Sequence, residues 1–194
     1  LSAATFSPGF RLDSGHGLAI DGGNLMVGVT SQAWLNGHGS VHSYYHSGNV
    51  WNEGQEISPS NSAIGDRFGC SIEIDGDVAV VGAKYANGGG YHRGSAYIFA
   101  HSGGVWSESQ EIIGSNVGDQ SEFGSEVAIY GNRVAVCSKF NTVYIFEYSE
   151  GSWSESAIIT LPQSGFSLGK VALGPDRVAL SSRGTGGVKC YVFD

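Results

Sequence analysis

Hydrophobic residues in this chain occur in short segments separated by polar turns rich in Gly. In residues 72–74, Ile alternates with Glu, and residues 78–81 and the aligned residues 134–137 form nearly continuous apolar runs. Alternation with a period of two predicts a half-buried strand, and a short apolar run between turns predicts a buried one. Val and Ile far outnumber Leu, which favours strands because β-branched side chains fit a pleated sheet. We therefore expect an all-β protein.

Self-comparison of the sequence identifies an internal repeat. The two clear copies share three motifs: Phe-Gly at 68–69 and 123–124, Tyr-Ile-Phe at 97–99 and 144–146, and Trp-Ser-Glu-Ser at 106–109 and 153–156. Two weaker copies contain Leu18-Ala19-Ile20 and Val171-Ala172-Leu173. Each copy holds four short strands, a to d, joined by turns. Four-stranded repeats of this length predict the blades of a β-propeller.

Two kinds of repeat position are assigned to packing. Trp51, Trp106 and Trp153 lie at one fixed place in strand d, and an aromatic residue at a fixed repeat position is expected to pack between blades. Gly69 and Gly124 begin the innermost strand, where neighbouring blades are close and a Cβ would clash. None of these residues is predicted to bind a ligand.

The repeats predict one domain over residues 1–194, a four-bladed β-propeller of four-stranded blades. The blades are assigned to residues 14–58, 66–113, 121–160 and 166–194, the last together with 5–12. The last copy lacks strand d, and residues 6–12 align with that strand. We expect this N-terminal strand to complete the last blade and close the ring, because an unpaired edge leaves backbone groups unsatisfied. A fragment of a larger ring and two chains that form eight blades remain open as alternatives.

Composition and charge narrow the class of protein. Hydrophobic residues make up 41% of the chain and charged residues 14%, which is too apolar for a disordered chain. The net charge is −8 without any basic stretch, so nucleic acid is not expected as a partner. No apolar run approaches the ~18 residues of a membrane helix, so no transmembrane segment is expected. Cys70, Cys137 and Cys190 show no CxxC spacing and predict neither a disulfide nor a zinc site.

At Phe68-Gly69, Gly82-Ala83 and Phe123-Gly124 the sequence resembles the FG-GAP repeat family, the propeller repeats of integrin α chains and of many secreted or surface proteins. Lys84 stands where the family has Pro. The resemblance implies a secreted, extracellular or lumenal location and a role in binding or adhesion. Family members often bind calcium through an a–b loop patterned Asp-x-Asp-x-Asp-Gly. Here that loop is only Asp75-Gly76-Asp77, which supplies too few oxygens for calcium, so we expect no metal and no cofactor.

A binding surface is predicted on the face of the propeller that carries the b–c and d–a loops, which we call the b–c face. The b–c loops vary in length among the copies, which is typical of a binding surface on a repeat protein. Residues 84–93 combine Tyr, His, Arg and Lys around three Gly residues, a mixture that often contributes binding energy. The candidate residues, whose bases favour an anionic ligand, are Trp34, His38, Lys84, Tyr85, Tyr91, His92, Arg93, Lys139 and Arg183.

Two classes of function fit these observations. The first is a non-catalytic recognition or scaffold propeller that binds a protein or carbohydrate ligand, or an extrinsic subunit of a larger assembly. The second is a hydrolase or lyase at the mouth of the central channel, with Asp66 and Asp119 as the acids nearest to it. No HExxH, GxSxG or Cys–His pattern occurs, so no catalytic residue is assigned and the recognition protein is preferred.

Overall fold

Fifteen β-strands form the regular structure of the described residues, with no helix among them. The computed structural model describes residues 17–30, 37–86, 90–139, 141–161, 166–184 and 187–193. No helix in these segments is long and apolar enough to span a membrane. The strands are β1 (Leu18–Asp21), β2 (Asn24–Val29), β3 (Ser40–Ser47), β4 (Val50–Ile57), β5 (Phe68–Asp75), β6 (Val78–Ala83), β7 (Ser95–Ser102), β8 (Val105–Ile112), β9 (Glu126–Tyr130), β10 (Arg133–Ser138), β11 (Thr142–Ser149), β12 (Ser152–Thr160), β13 (Phe166–Leu173), β14 (Val178–Gly184) and β15 (Gly187–Phe193).

The strands form four antiparallel sheets in chain order, and each sheet is a propeller-like blade. Blade 1 contains β1–β4, blade 2 β5–β8, blade 3 β9–β12 and blade 4 only β13–β15. The all-β prediction and the predicted order of strands a to d are confirmed. The strand pairing corrects one detail of the repeat alignment. Because Asp75 pairs with Val78 and Tyr130 with Arg133 across two-residue turns, Val78 corresponds to Arg133 and not to Val134.

Hydrophobic side chains fill the three seams between consecutive blades. We call the side of a blade that faces the preceding blade its rear face, and the other side its front face. The first seam brings Ile72 and Ile74, on the rear face of blade 2, into one buried cluster with Ala19 and Met26 of blade 1. In the second seam, Val127 and Ile129 on the rear face of blade 3 pack with Val80 and Ile98 of blade 2. In the third seam, Val171 and Leu173 on the rear face of blade 4 pack with Ala128 and Ile145 of blade 3.

The aromatic residues of the repeat lie mainly in these seams. Phe68 and Phe123 are fully buried, and each meets the ring of the Tyr in strand c edge to face, with centroids 5.7 Å from Tyr97 and 5.2 Å from Tyr144 respectively. In strand d, Trp106 and Trp153 are buried and Trp51 is half-buried. The assignment of Trp106 and Trp153 to packing between blades is confirmed, because they belong to the buried clusters of the first and second seams. The ring contact of Trp51 is with His46 of its own blade, so its packing between blades stays a prediction.

Gly69 and Gly124 occupy positions that exclude a side chain. Both have left-handed backbone angles, with φ of 85° and 87°. A Cβ added to Gly69 would lie 2.9 Å from the carbonyl oxygen of Ser40, and one added to Gly124 would overlap that of Ser95. The predicted clash at the start of the innermost strand is therefore confirmed, because only Gly allows blades to approach this closely.

Side chains also link the a–b turns of adjacent blades. The backbone N–H of Gly76 donates to Oδ2 of Asp21 at 2.7 Å, and the N–H of Gly131 donates to Oδ2 of Asp75 at 2.5 Å. The corresponding residue of blade 3 is Tyr130, which has no carboxylate to offer. The first two seams thus share a polar link that the third seam cannot form.

Closure of the blades into a ring is not shown. The predicted closing strand at residues 6–12 lies outside the described residues. Among the strands that are described, blade 4 does not pack against blade 1 in the way that consecutive blades pack against each other. Within the same residues, β15 pairs only with β14, so its outer edge has no strand partner there. The closing strand therefore remains a prediction.

Candidate functional site

The b–c loop of blade 2 packs against the chain that enters blade 3. The N–H groups of Gln120, Glu122 and Phe123 donate to the carbonyl oxygens of Tyr91, His92 and Arg93 at 2.8, 3.2 and 2.8 Å. A parallel bridge between Gly94 and Phe123 continues this pairing. The backbone of residues 91–94 is therefore fixed by the neighbouring blade, and its side chains project from a defined support.

Three rings form a continuous stack on this support. Tyr91 stacks on His92 with centroids 4.0 Å apart, and His92 stacks on Tyr85 with centroids 4.4 Å apart. The guanidinium carbon of Arg67 lies 4.7 Å from the centre of the Tyr85 ring, and Nζ of Lys84 lies 5.3 Å from it. We call these five residues the aromatic stack. Tyr91 is 61% exposed, so one end of the stack is open to a ligand.

Further basic residues surround the aromatic stack. Nζ of Lys139 donates to Oε1 of Glu122 at 2.8 Å, and this hydrogen bond and the charge of Glu122 raise the pKa of Lys139. The N–H of Lys139 donates to the carbonyl oxygen of Ser121, which places Lys139 on the same face. With Arg67, Lys84 and Arg93, four of the ten Lys and Arg residues of the chain gather here. Among these bases, Lys139 is paired with Glu122 at 2.8 Å.

The structure brings most, but not all, of the predicted residues together. Lys84, Tyr85, Tyr91 and His92 are in the aromatic stack. His38 lies one seam away: its carbonyl oxygen accepts from the N–H of Phe68, as that of Arg93 does from Phe123. Its Nδ1 is 3.3 Å from Oγ of Ser62.

Two predicted residues cannot be assigned a place in the site. Trp34 lies outside the described residues, and so does the side chain of Arg183, whose backbone belongs to β14. Their roles stay predictions.

Sequence reasoning missed Arg67. The residue precedes the Phe-Gly motif and was treated as part of the repeat, although the corresponding residue of the next copy is Glu122. Both have left-handed backbone angles, with φ of 56° and 49°. A reversal of charge at one repeat position on the b–c face was the available signal, because a purely structural position does not require either charge.

The two acids of the enzyme hypothesis both hold loop backbone. Asp66 is 3% exposed, and its Oδ2 accepts from the N–H of Ala63 at 2.6 Å. Burial raises the pKa of Asp66. Oδ1 of Asp119 accepts from the N–H of Tyr91 at 3.0 Å. These contacts explain both acids as structural residues, and the enzyme hypothesis gains no support from them.

Calcium does not fit the a–b turns. Asp75 is engaged by the N–H of Gly131, and Oδ1 of Asp77 lies 3.4 Å from Nδ1 of His101. The turn offers two carboxylates, whereas calcium takes six to eight oxygen ligands. In the described segments, no three His, Cys, Asp or Glu side chains are grouped so that they could hold a metal ion. The calcium binding known in the family is therefore not carried over.

Comparison with solved structures supports the fold. The chain is similar to the computationally designed Ika4 protein, with a TM-score of 0.59, 12% identity and 100% of both chains covered. It is also similar to the computationally designed Ika8 protein, with a TM-score of 0.56 and 13% identity over 91% of this chain. The chain spans only 45% of the Ika8 chain. At such identities the likeness concerns the fold alone, and no curated protein sequence matches the chain.

A family model described as FG-GAP repeat matches residues 51–99. The match begins in β4 and ends in β7, so it contains strand d of blade 1 and strands a to c of blade 2. It includes the Phe68-Gly69 and Gly82-Ala83 motifs. The resemblance read from the sequence is therefore confirmed, since residues 51–99 of this chain are similar to the FG-GAP repeat.

Proposed function

We propose that the chain is a non-catalytic recognition or scaffold propeller that binds an anionic protein or carbohydrate ligand on its b–c face. The observation that supports this most is the aromatic stack, in which Arg67 of the preceding d–a loop meets Lys84 and the three rings of the b–c loop. Backbone hydrogen bonds to the next blade hold Tyr91 and His92 in place. Tyr and Arg side chains are enriched among residues that dominate binding energy. A loop fixed before binding loses less conformational entropy when the ligand arrives.

The charge of the site favours an acidic ligand. Arg67, Lys84 and Arg93 lie on or beside the stack, whereas the chain as a whole has a net charge of −8. A carboxylate or sulfate is attracted to these bases, and a guanidinium group can bind it in a bidentate manner. The exposed face of Tyr91 offers stacking to a sugar ring or an apolar side chain. Trp34 and Arg183 are kept as candidates for an extension of this surface.

The test is an array of acidic glycans and acidic peptides, followed by titration of the best ligand. The double variant Tyr91→Ala with Arg93→Ala removes one ring and one cation. Tyr148→Ala with Arg133→Ala is a matched control, because both residues lie near the c–d and a–b turns on the opposite face. We expect the first variant to bind about fivefold more weakly or worse, at least ~1 kcal/mol, and the control to bind normally.

Two results would contradict this proposal. One is equal loss of affinity in the two double variants, with unchanged melting in both. The other is a ligand that binds equally well after both substitutions. In either case the surface lies elsewhere, and a pull-down of partners would have to identify it. A location outside the cytosol, adhesion, and membership of a larger assembly are part of the same proposal and are tested by fractionation of the source cells.

We also propose that residues 6–12 complete blade 4 as its strand d. The matched family repeat supports this, because it starts with strand d of one blade and ends with strand c of the next. Successive repeats of that phase leave a strand d at the start of the chain and an unpaired strand c at its end. The outer edge of β15 has no strand partner among the described residues, so it offers the hydrogen-bonding groups that such a strand requires.

A further inference from the structure

We propose that two copies of this chain associate head to tail into an eight-bladed ring, in which blade 4 of each copy packs on blade 1 of the other. The two faces that lie at the ends of the blade series carry this inference. It goes beyond the ligand-binding function and is independent of it. With respect to closure, it specifies that the blade that follows blade 4 comes from the second copy.

The rear face of blade 1 exposes residues that are buried in the other blades. Leu18 and Ile20 are 68% and 63% exposed, whereas Ile72 and Ile74, at the same positions of blade 2, are 5% and 6% exposed. Leu25, which pairs with Ile20, is half-buried, and its counterpart Ala79 is fully buried. Adjacent exposed aliphatic side chains on one strand face are typical of an interface.

The front face of blade 4 shows the same contrast. Val192 is 60% exposed, whereas the corresponding Ile98 and Ile145 are buried. Val188, on the same face of β15, is 73% exposed. Cys190 is exposed, and the corresponding Val41 and Val143 are fully buried. Blade 4 thus presents the apolar side chains of a blade seam without a following blade among the described residues.

The two exposed faces are the two halves of one kind of interface. Each of the three internal seams joins a front face to a rear face, and the exposed pair consists of one of each. Because blade 4 does not pack against blade 1 among the described strands in the way that consecutive blades do, one chain leaves both faces open.

A second copy is the occupant that satisfies both faces at once. It brings a rear face to the exposed front face and a front face to the exposed rear face, and both new seams repeat an interface that the chain already forms three times. Such a head-to-tail contact gives a closed ring when the rotation closes, and the proposed ring closes after two copies with two-fold symmetry. An unrelated partner would have to match each face separately.

The first measurement is the mass in solution. Sedimentation equilibrium of the full chain should give twice 20.3 kDa, falling towards 20.3 kDa on dilution. A monomer at every concentration would overturn the proposal and favour closure within one chain. An open series of larger assemblies would also overturn it, because the seam would then not close after two copies.

Paired variants locate the interface. Leu18→Ser with Ile20→Ser should raise the dissociation constant of the dimer by about tenfold or more, the scale expected when interface anchors are lost. Ile64→Ser with Val105→Ser is the matched control, because these residues are also exposed aliphatics, at 59% and 52%. Equal dissociation constants for the dimers of the two variants would contradict the proposed interface. If the first variant unfolds, Val188→Lys tests the opposite face.

Alkylation of Cys190 separates the two modes of closure without any substitution. In an eight-bladed dimer its thiol is covered, and the labelling rate should rise as the protein is diluted below the dissociation constant. Rapid labelling at all concentrations would overturn the proposal, and so would protection that does not change with concentration. Ligand binding by the b–c face is measured separately, so a failure here leaves the proposed function untouched.

Discussion

The side-chain amide of Gln110 makes two hydrogen bonds with the backbone of Trp153 in the next blade. Its Nε2 donates to the carbonyl oxygen of Trp153 at 2.7 Å, and its Oε1 accepts from the N–H at 2.8 Å. Gln55 makes the same pair of bonds with Trp106, at 2.8 and 2.9 Å. One side chain thus ties strand d of blade 1 to that of blade 2, and another ties strand d of blade 2 to that of blade 3.

Gln110→Ala should destabilise the protein by about 1–3 kcal/mol, because two backbone groups of Trp153 lose their partners. Gln110→Glu should cost at least as much, since a carboxylate cannot donate to the carbonyl oxygen. Chemical denaturation measures both. Gln120→Ala is the control for loss of a Gln side chain on the surface, and a change there as large as that of Gln110→Ala would contradict this role.

Asp66→Ser should preserve the turn that Asp66→Ala breaks. In the next copy the corresponding residue is Ser121, whose Oγ accepts from the N–H of Gly118 at 3.1 Å. Asp66 makes the same contact with Ala63 through Oδ2. We therefore expect Ala to destabilise by about 1 kcal/mol relative to Ser, the usual value of a capping hydrogen bond. Thermal or chemical denaturation at neutral pH measures this difference in stability, and equal stability of the two variants would refute the capping role.

The same carboxyl predicts a pH dependence with a defined sign. Burial raises the pKa of Asp66 in the folded protein above its unfolded value of about 3.9. In the interval between the two values the folded state binds more protons, so the contribution of this group to stability falls as pH rises. The free energy of unfolding of the wild type minus that of Asp66→Asn, measured from about pH 3 to 7, should decrease as the pH rises. A difference that increases with pH would contradict it.

Phe123→Ala should destabilise by about 3–5 kcal/mol, because the side chain is fully buried and its removal leaves a cavity between blades 2 and 3. Phe123 meets the rings of Tyr144 and Phe146, with centroids at 5.2 and 6.2 Å. Phe123→Leu should cost clearly less, since it keeps most of the volume. Denaturation curves of both variants provide the measurement, and similar losses would show that the ring contacts matter more than volume.

Glu122→Gln should strengthen the binding of an acidic ligand by a few-fold at low salt. The substitution removes the partner of Lys139 and leaves its ammonium group available to the ligand. Because Lys139 is exposed, added salt should reduce the gain. Lys139→Gln should abolish the gain from Glu122→Gln, and a gain that persists without Lys139 would contradict this role. Binding titrations at two salt concentrations distinguish these outcomes.

The repeat could be predicted from the sequence because its signal lies in local spacing. Phe-Gly, the alternating strands and the Trp recur in order, and period-two patterns determine which face of a strand is buried. The one-residue error at Val78 arose because apolar runs look alike when shifted by one position. Only the turn length, fixed by backbone hydrogen bonds, resolves such a shift.

The candidate site was predicted less completely. The loop at Lys84, Tyr85, Tyr91 and His92 was recognisable by composition, but the stacking of its rings depends on the fold of the loop. Arg67 was missed because it belongs to the preceding d–a loop, and its proximity to Tyr85 arises only when the two loops fold onto one another. Contacts between separate loops are not encoded in local spacing.

The third seam will determine the order in which the protein comes apart. Blade 3 has Tyr130 in place of the linking Asp and Ala157 in place of the linking Gln, so blade 4 is held by apolar packing and by an exposed ion pair between Lys170 and Glu126. Exposed ion pairs contribute little to the free energy of unfolding. Amide hydrogens of β13 to β15 should therefore exchange through openings that leave blades 1–3 folded.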